Sequence, residues 1–169
     1  MNENLLAFYM GYAFCHAVNL QHVLEPEALM APFVVYWQDK QPNPVPYPAA
    51  TQSEAVERAS VERVQRGSEG TGRSSCREGL VPQNDGSKLD ALLVEGWVPG
   101  LAPPLEMFVY YRKTAFRLIR GLLWKSHPYA RKDTHAFMAE FKNGILGHPF
   151  GATCLEYLDH AEPVQFEKR

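Results

Sequence analysis

The side chains best suited to catalysis are two carboxylates set inside apolar runs, three cysteines and six histidines. Glu95 alternates with Leu93 and Trp97, and Glu106 with Phe108 and Tyr110. In a strand every second residue points the same way, so each carboxylate shares a face with large apolar neighbours. Desolvation there raises a carboxyl pKa and suits it to acid/base work. A small hydrolase or transferase pairing Glu95 or Glu106 with a histidine is therefore one reading. The plainer one places each near a strand end, solvated or paired with an arginine. No nucleophile elbow or partner motif accompanies either carboxylate, which favours the plainer reading.

Cys76 stands between Arg73 and Arg77, and nearby cations favour the nucleophilic thiolate. No histidine is tied to it by spacing, so it reads as a surface cysteine in a loop. Cys15 and Cys154 sit among apolar residues and read as small core hydrophobes. His127, His135, His148, Cys154 and His160 crowd the last third, but no C-x-x-C or H-E-x-x-H spacing occurs and no metal site is expected. The glycines of GSEGTGRSS lack the GK[ST] opening of a phosphate loop, and G-x-G-x-x-G is absent; no cofactor is expected.

Charge is unevenly spread. The net value is −2. Yet segment 112–132 holds seven bases (Arg112, Lys113, Arg117, Arg120, Lys125, Arg131 and Lys132) and no acid, while the other 148 residues hold 10 bases and 19 acids. Phe116, Trp124 and Tyr129 are interleaved with these bases, a combination that suits single-stranded nucleic acid. Alternation argues against that use, because Arg117 and Arg120 face opposite ways along a strand.

These residues must be positioned by elements that the pattern makes legible. At 169 residues, 46% hydrophobic and 21% charged, the chain reads as one domain over 1–169. Segment 5–24 lacks Asp, Glu, Lys and Arg but carries His16, Asn19, Gln21 and His22. It reads as a helix over about 5–22, buried on most of its circumference, rather than a membrane span; a homodimer through this helix is the other way to cover it. FVVYW at 33–37 reads as a strand, and the four prolines of 41–48 as an extended connector. Thr51 and Glu54 form a capping box opening a charged helix over 52–66. The Gly/Ser-rich stretch 67–88 reads as a long flexible loop ending in a turn at Asn84-Asp85-Gly86. Strands over 89–98, 105–112 and 116–124, joined by short linkers, make a three-stranded antiparallel meander. A helix through Phe137, Phe141 and Ile145 and a short one at 153–160 follow. The expected class is α+β: a mostly antiparallel sheet with helices packed on one face.

With its aromatic meander (LDALLVEGWV, LEMFVYYR, FRLIRGLLW), its glycine loop and no assembled catalytic set, the chain resembles the small bacterial immunity proteins that neutralise toxins of contact-dependent and type VI systems. The resemblance implies a non-enzymatic, cytoplasmic binding protein that occludes a cognate toxin. Aromatic and arginine anchors dominate such interfaces. The candidates here are Trp97, Tyr110, Tyr111, Arg112, Arg117, Arg120 and Lys125.

Overall fold

The computed structural model describes residues 3–66, 70–101, 103–126 and 134–163, with backbone alone for 120–126 and Thr134. The elements are α1 (Glu3–Val23), β1 (Phe33–Gln38), β2 (Gln41–Pro46), α2 (Gln52–Arg66), β3 (Gly72–Pro82), β4 (Lys88–Trp97), β5 (Leu105–Arg112), β6 (Arg117–Ser126), α3 (Thr134–Leu146) and α4 (Gly151–Asp159). The strands form one sheet in the order β2-β1-β3-β4-β5-β6, with every pairing antiparallel. The α+β class expected from the pattern is the one observed.

Three expectations about the fold are corrected. The stretch 67–88 is not a loop throughout: β3 occupies its middle and lies between β1 and β4 in the interior of the sheet, extending the meander to four strands. Its polar residues are held individually. Ser74 accepts a bond from Trp37 Nε1 at 3.1 Å, the Arg73 guanidinium stacks on Trp97, and Glu78 is enclosed by donors described below. Only the turn to β4 keeps loop character, with Gly86 at φ 85° and Asp85 accepting from the Ser87 amide and hydroxyl.

The proline connector is an edge strand, β2. Pro42, Pro44 and Pro46 share one parity along it, so the absent N–H groups fall on the outer side and leave the ladder to β1 intact. An edge without those donors cannot template a further strand.

Helix α1 forms a middle layer, with the sheet on one side and α3 and α4 on the other. This accounts for its uncharged sequence: Leu6, Met10, Phe14, Ala17 and Val18 are all fully buried. No described helix is long and apolar enough to cross a membrane. The close approach of α1 to α3 depends on missing side chains. A methyl at Gly11 would collide with the Phe141 carbonyl, and one at Gly144 with the Phe8 carbonyl. Phe137, Phe141 and Ile145 of α3 complete the layer.

Helix α2 departs from the expected arrangement. Val34 and Tyr36 alternate with Phe33, Val35 and Trp37 along β1; the second set joins the α1 core, while the first packs with Tyr47 and with Ala59 of α2. Three helices thus cover one face and α2 the other. Its capping box forms as spaced, the Thr51 amide donating to Glu54 Oε2 at 3.3 Å and the Glu54 amide to Thr51 Oγ1 at 3.2 Å.

Replacing Gly144 or Gly11 with alanine separates two effects of opposite sign. Helix propensity alone favours alanine by about 1 kcal/mol, whereas overpacking costs about 1–3 kcal/mol. A net loss of stability in urea unfolding is expected.

Candidate functional site

The face of the sheet opposite α1 is covered unequally. Alternation along β3, β4 and β5 places four registered rows on it: Arg73 beside Trp97; Ser75, Glu95 and Glu106; Arg77, Leu93 and Phe108; Gly79, Ala91 and Tyr110. Helix α2 packs against β1, and a wedge opens between it and the later strands. This cleft, of about 170 Å³, has a floor of Ser75, Leu93, Glu95 and Glu106 and a wall of Val56, Ala59, Ser60 and Arg63. Farther from α2, Ala91, Tyr110 and Ile119 form a small cluster with Val81, Leu89 and Phe108 against it.

Both carboxylates singled out by the sequence meet here, directly opposite each other on β4 and β5. Like charges so placed are destabilising. Arg63 offsets this by donating a short ionic bond to Glu95, the arginine pairing that the plainer reading expected, though supplied by a helix rather than a strand. No histidine lines the cleft among the described residues. His16 and His148 lie beyond the sheet, among the residues around α1, and so on the wrong side to act with Glu95 or Glu106.

Aromatic and cationic side chains interleave over the same face. The Arg73 guanidinium carbon stands 4.3 Å from the Trp97 ring centroid, and that of Arg66 stands 4.2 Å from the Tyr36 ring. Tyr36 hydrogen-bonds Tyr47 through their hydroxyls at 2.9 Å; burial, then this bond, pushes its phenol pKa upward. These contacts prearrange the planar groups of this face; Tyr36 and Tyr47 are buried, while Arg66, Arg73 and Trp97 are half-buried.

The anchors proposed from the sequence separate in space. Trp97 is half-buried and Tyr110 lies largely buried, both on this outer face. Arg112 and Arg117 are exposed but converge on Glu162, at 3.4 and 2.6 Å. Glu162 itself reaches β6 by donating its amide to the Leu118 carbonyl at 2.9 Å. Arg120 and Lys125 lie on β6, with side chains outside the described residues, as are Tyr129, Arg131 and Lys132. Tyr111 is corrected: it points to the α1 face and is 1% exposed, so it is core rather than surface. Cys76 is corrected likewise. It is buried in β3, and desolvation, then the Glu78 charge, raises its thiol pKa, which leaves it protonated and poorly nucleophilic.

Glu78, hidden from the sequence reading by the loop assignment, is 7% exposed. Its Oε1 accepts from Gln21 Nε2 at 2.7 Å and the Tyr111 hydroxyl at 2.5 Å, and pairs with Lys113 Nζ at 3.0 Å. Oε2 accepts from the Met30 amide at 2.6 Å. Burial, then the bond to Glu78, raises the Tyr111 pKa and keeps that hydroxyl a donor. The one legible signal was Gln21, a polar residue in a helix without charged side chains from Leu5 onward. Lys113 also donates to the Ala28 carbonyl at 3.4 Å. Three of the seven bases in segment 112–132 are thereby engaged within the fold, which weakens a nucleic-acid reading. Among the described residues no cluster of histidine, cysteine or carboxylate side chains could hold a metal ion.

Comparison with family models, with curated proteins and with solved structures finds no match for this chain.

Removing Glu78 strands the Lys113 ammonium and three further donors. Glu78→Leu is expected to cost about 3–5 kcal/mol, and Tyr111→Phe, which deletes one donor and leaves the carboxylate paired, about 1–2 kcal/mol. Urea denaturation of both variants checks the order.

Proposed function

We propose that the chain is a non-enzymatic protein-binding module of the immunity type, which docks a partner protein on the outer face of β3, β4 and β5. The observation that carries this reading is the contrast between the two faces. One lies under α1, whereas the other has α2 over β1 and leaves Trp97, Leu93 and Phe108 only half-buried beside Arg73, Arg77 and the cleft. Planar aromatic and guanidinium groups already stacked on one another lose little conformational freedom when a partner covers them, which is what makes such residues effective anchors. Arg112 and Arg117 at the far end of β5 and the start of β6 supply a polar rim.

The partner is expected to present an acidic surface with pockets that accept aromatic side chains, complementary to the arginines of this face. The three buried free cysteines suit a reducing compartment, where such a partner would be met before export.

Cross-linking of the tagged full chain in its native host, followed by purification, tests this. One stoichiometric protein partner is expected with the wild type. Its recovery should fall at least tenfold in Phe108→Asp and Trp97→Ala variants whose circular dichroism and melting temperature stay near wild type. Recovery of no partner, or equal recovery with folded variants, would overturn the reading.

A further inference from the structure

On the other side of the sheet, two histidines far apart in sequence meet between α1 and the corner joining α3 to α4. His16 Nδ1 lies 3.1 Å from His148 Nε2. His148 Nδ1 in turn accepts the Phe150 amide at 3.0 Å. That second bond decides where the protons are. An amide N–H only donates, so His148 Nδ1 carries no hydrogen. A neutral imidazole has one N–H, and it must then sit on Nε2. This hydrogen points at His16 Nδ1, which must be the acceptor, leaving the His16 hydrogen on Nε2. The chain Phe150 N–H to His148 to His16 has one direction and needs both rings neutral. A proton added at His148 Nδ1 would face the Phe150 N–H, and one added at His16 Nδ1 would face the His148 N–H.

From this geometry we infer that the His16–His148 pair is a pH-sensitive latch that holds the α3–α4 corner to α1 while both rings are neutral and releases it when either is protonated. The surroundings reinforce the exclusion of charge. His148 is 7% exposed, the edge of Phe33 from β1 packs on His16, and Tyr12 from α1 packs on His148. The titratable neighbours are Tyr12 and Cys15 on α1 and Cys154 on α4. Among the described residues no carboxylate or ammonium pairs with either ring. Burial, then the His148 charge, lowers the His16 pKa from 6.5 to about 4. The Cys15 sulfur is hydrogen-bonded by the Cys154 thiol and lies beside His148, which together bring the Cys15 pKa down to about 6 against the opposing effect of burial. A Cys15 thiolate would favour a proton on His148, so its contribution has to be separated.

The sign follows from linkage. A base whose folded pKa lies below its unfolded value binds fewer protons in the native state. The latch therefore contributes fully above about pH 6.5, and its contribution is lost as pH falls toward 4. The corner that opens contains Gly147 and Gly151, and a methyl at Gly151 would collide with the Ile145 carbonyl. A tight turn of this kind does not absorb displacement gradually.

Long-range proton–nitrogen NMR of the imidazoles in the full-length labelled protein, from pH 7.5 to 4.5, reads the latch directly. His148 should show an unprotonated Nδ1 and a protonated Nε2, and His16 should stay uncharged above pH 5.5. In urea His16 should titrate near 6.5. A second measurement is the urea midpoint at pH 7.5 and 5.5. His148→Asn keeps an acceptor for the Phe150 amide without a proton site. The His16→Asn/His148→Asn double variant should lose at least half of the wild-type pH dependence, while Cys15→Ser should keep it. Protonation of either ring above pH 6 with the Phe150 amide still protected would overturn the inference. So would an unchanged slope in the double variant, or a slope abolished by Cys15→Ser. Should the double variant not fold, the wild-type NMR titration decides alone.

Discussion

A buried charge is tolerable only when every lone pair it exposes is met, and Glu78 imposes that condition on four separate parts of the chain. Gln21 comes from the last turns of α1, the Met30 amide from the passage into β1, Tyr111 from β5, and Lys113 from the turn into β6. Desolvating a carboxylate and an ammonium costs several kcal/mol each, and their attraction repays this only in complete geometry. The network is thus weak evidence for net stability and stronger evidence for uniqueness. A shifted register of β3 would move Glu78 to the outer face and leave Lys113 and Tyr111 without their acceptor. The carboxylate fixes which face of β3 looks toward α1, and so which residues line the outer face.

The helical layers follow from the same placement. With β3 in register, Gly72, Ser74, Cys76 and Glu78 face α1, and Gly96 of β4 lies beneath Leu6 and Met10. Small residues at these points let α1 settle close to the sheet, and Gly11 and Gly144 let α3 settle close to α1. Tyr9 then stacks on Trp37 with ring centroids 4.3 Å apart and anchors the N-terminal half of the helix. The histidine pair joins the other end of this layer to the α3–α4 corner. One face of the sheet is in this way closed by several independent devices, while the other is served by α2 alone, a helix with a narrow apolar side and one buried residue, Ala55. This asymmetry is the observation on which the proposed docking surface rests.

Much of this was legible beforehand. The span of α2 matches its capping box and charge spacing, β4, β5 and β6 fall within a residue or two of their patterned runs, and Asn84-Asp85-Gly86 forms the expected turn. Each of these rests on local physics: hydrogen bonds closed over three residues, side chains alternating over two, or a glycine where φ is positive. Glu95 and Glu106 were recognised as strand carboxylates, but their meeting was not visible, because register across strands depends on the length and conformation of the linker between them. The interior strand β3 was missed because a segment rich in glycine, serine and charge has no apolar alternation. Its strand character comes from neighbours that meet its polar groups one by one.

By itself the sequence determined the α+β class, most element boundaries, the buried character of the first helix and the uneven distribution of charge, all of which depend on contacts within a few residues or on composition. Tertiary structure decided the rest: the interior position of β3, the side of the sheet on which α2 lies, the removal of Tyr111 and Cys76 from the surface, and the meetings of Glu95 with Arg63 and of His16 with His148. Those pairings join residues 32 and 132 positions apart. Nothing in the local chain favours such a contact until the sheet and the middle helix have fixed the distance between its ends.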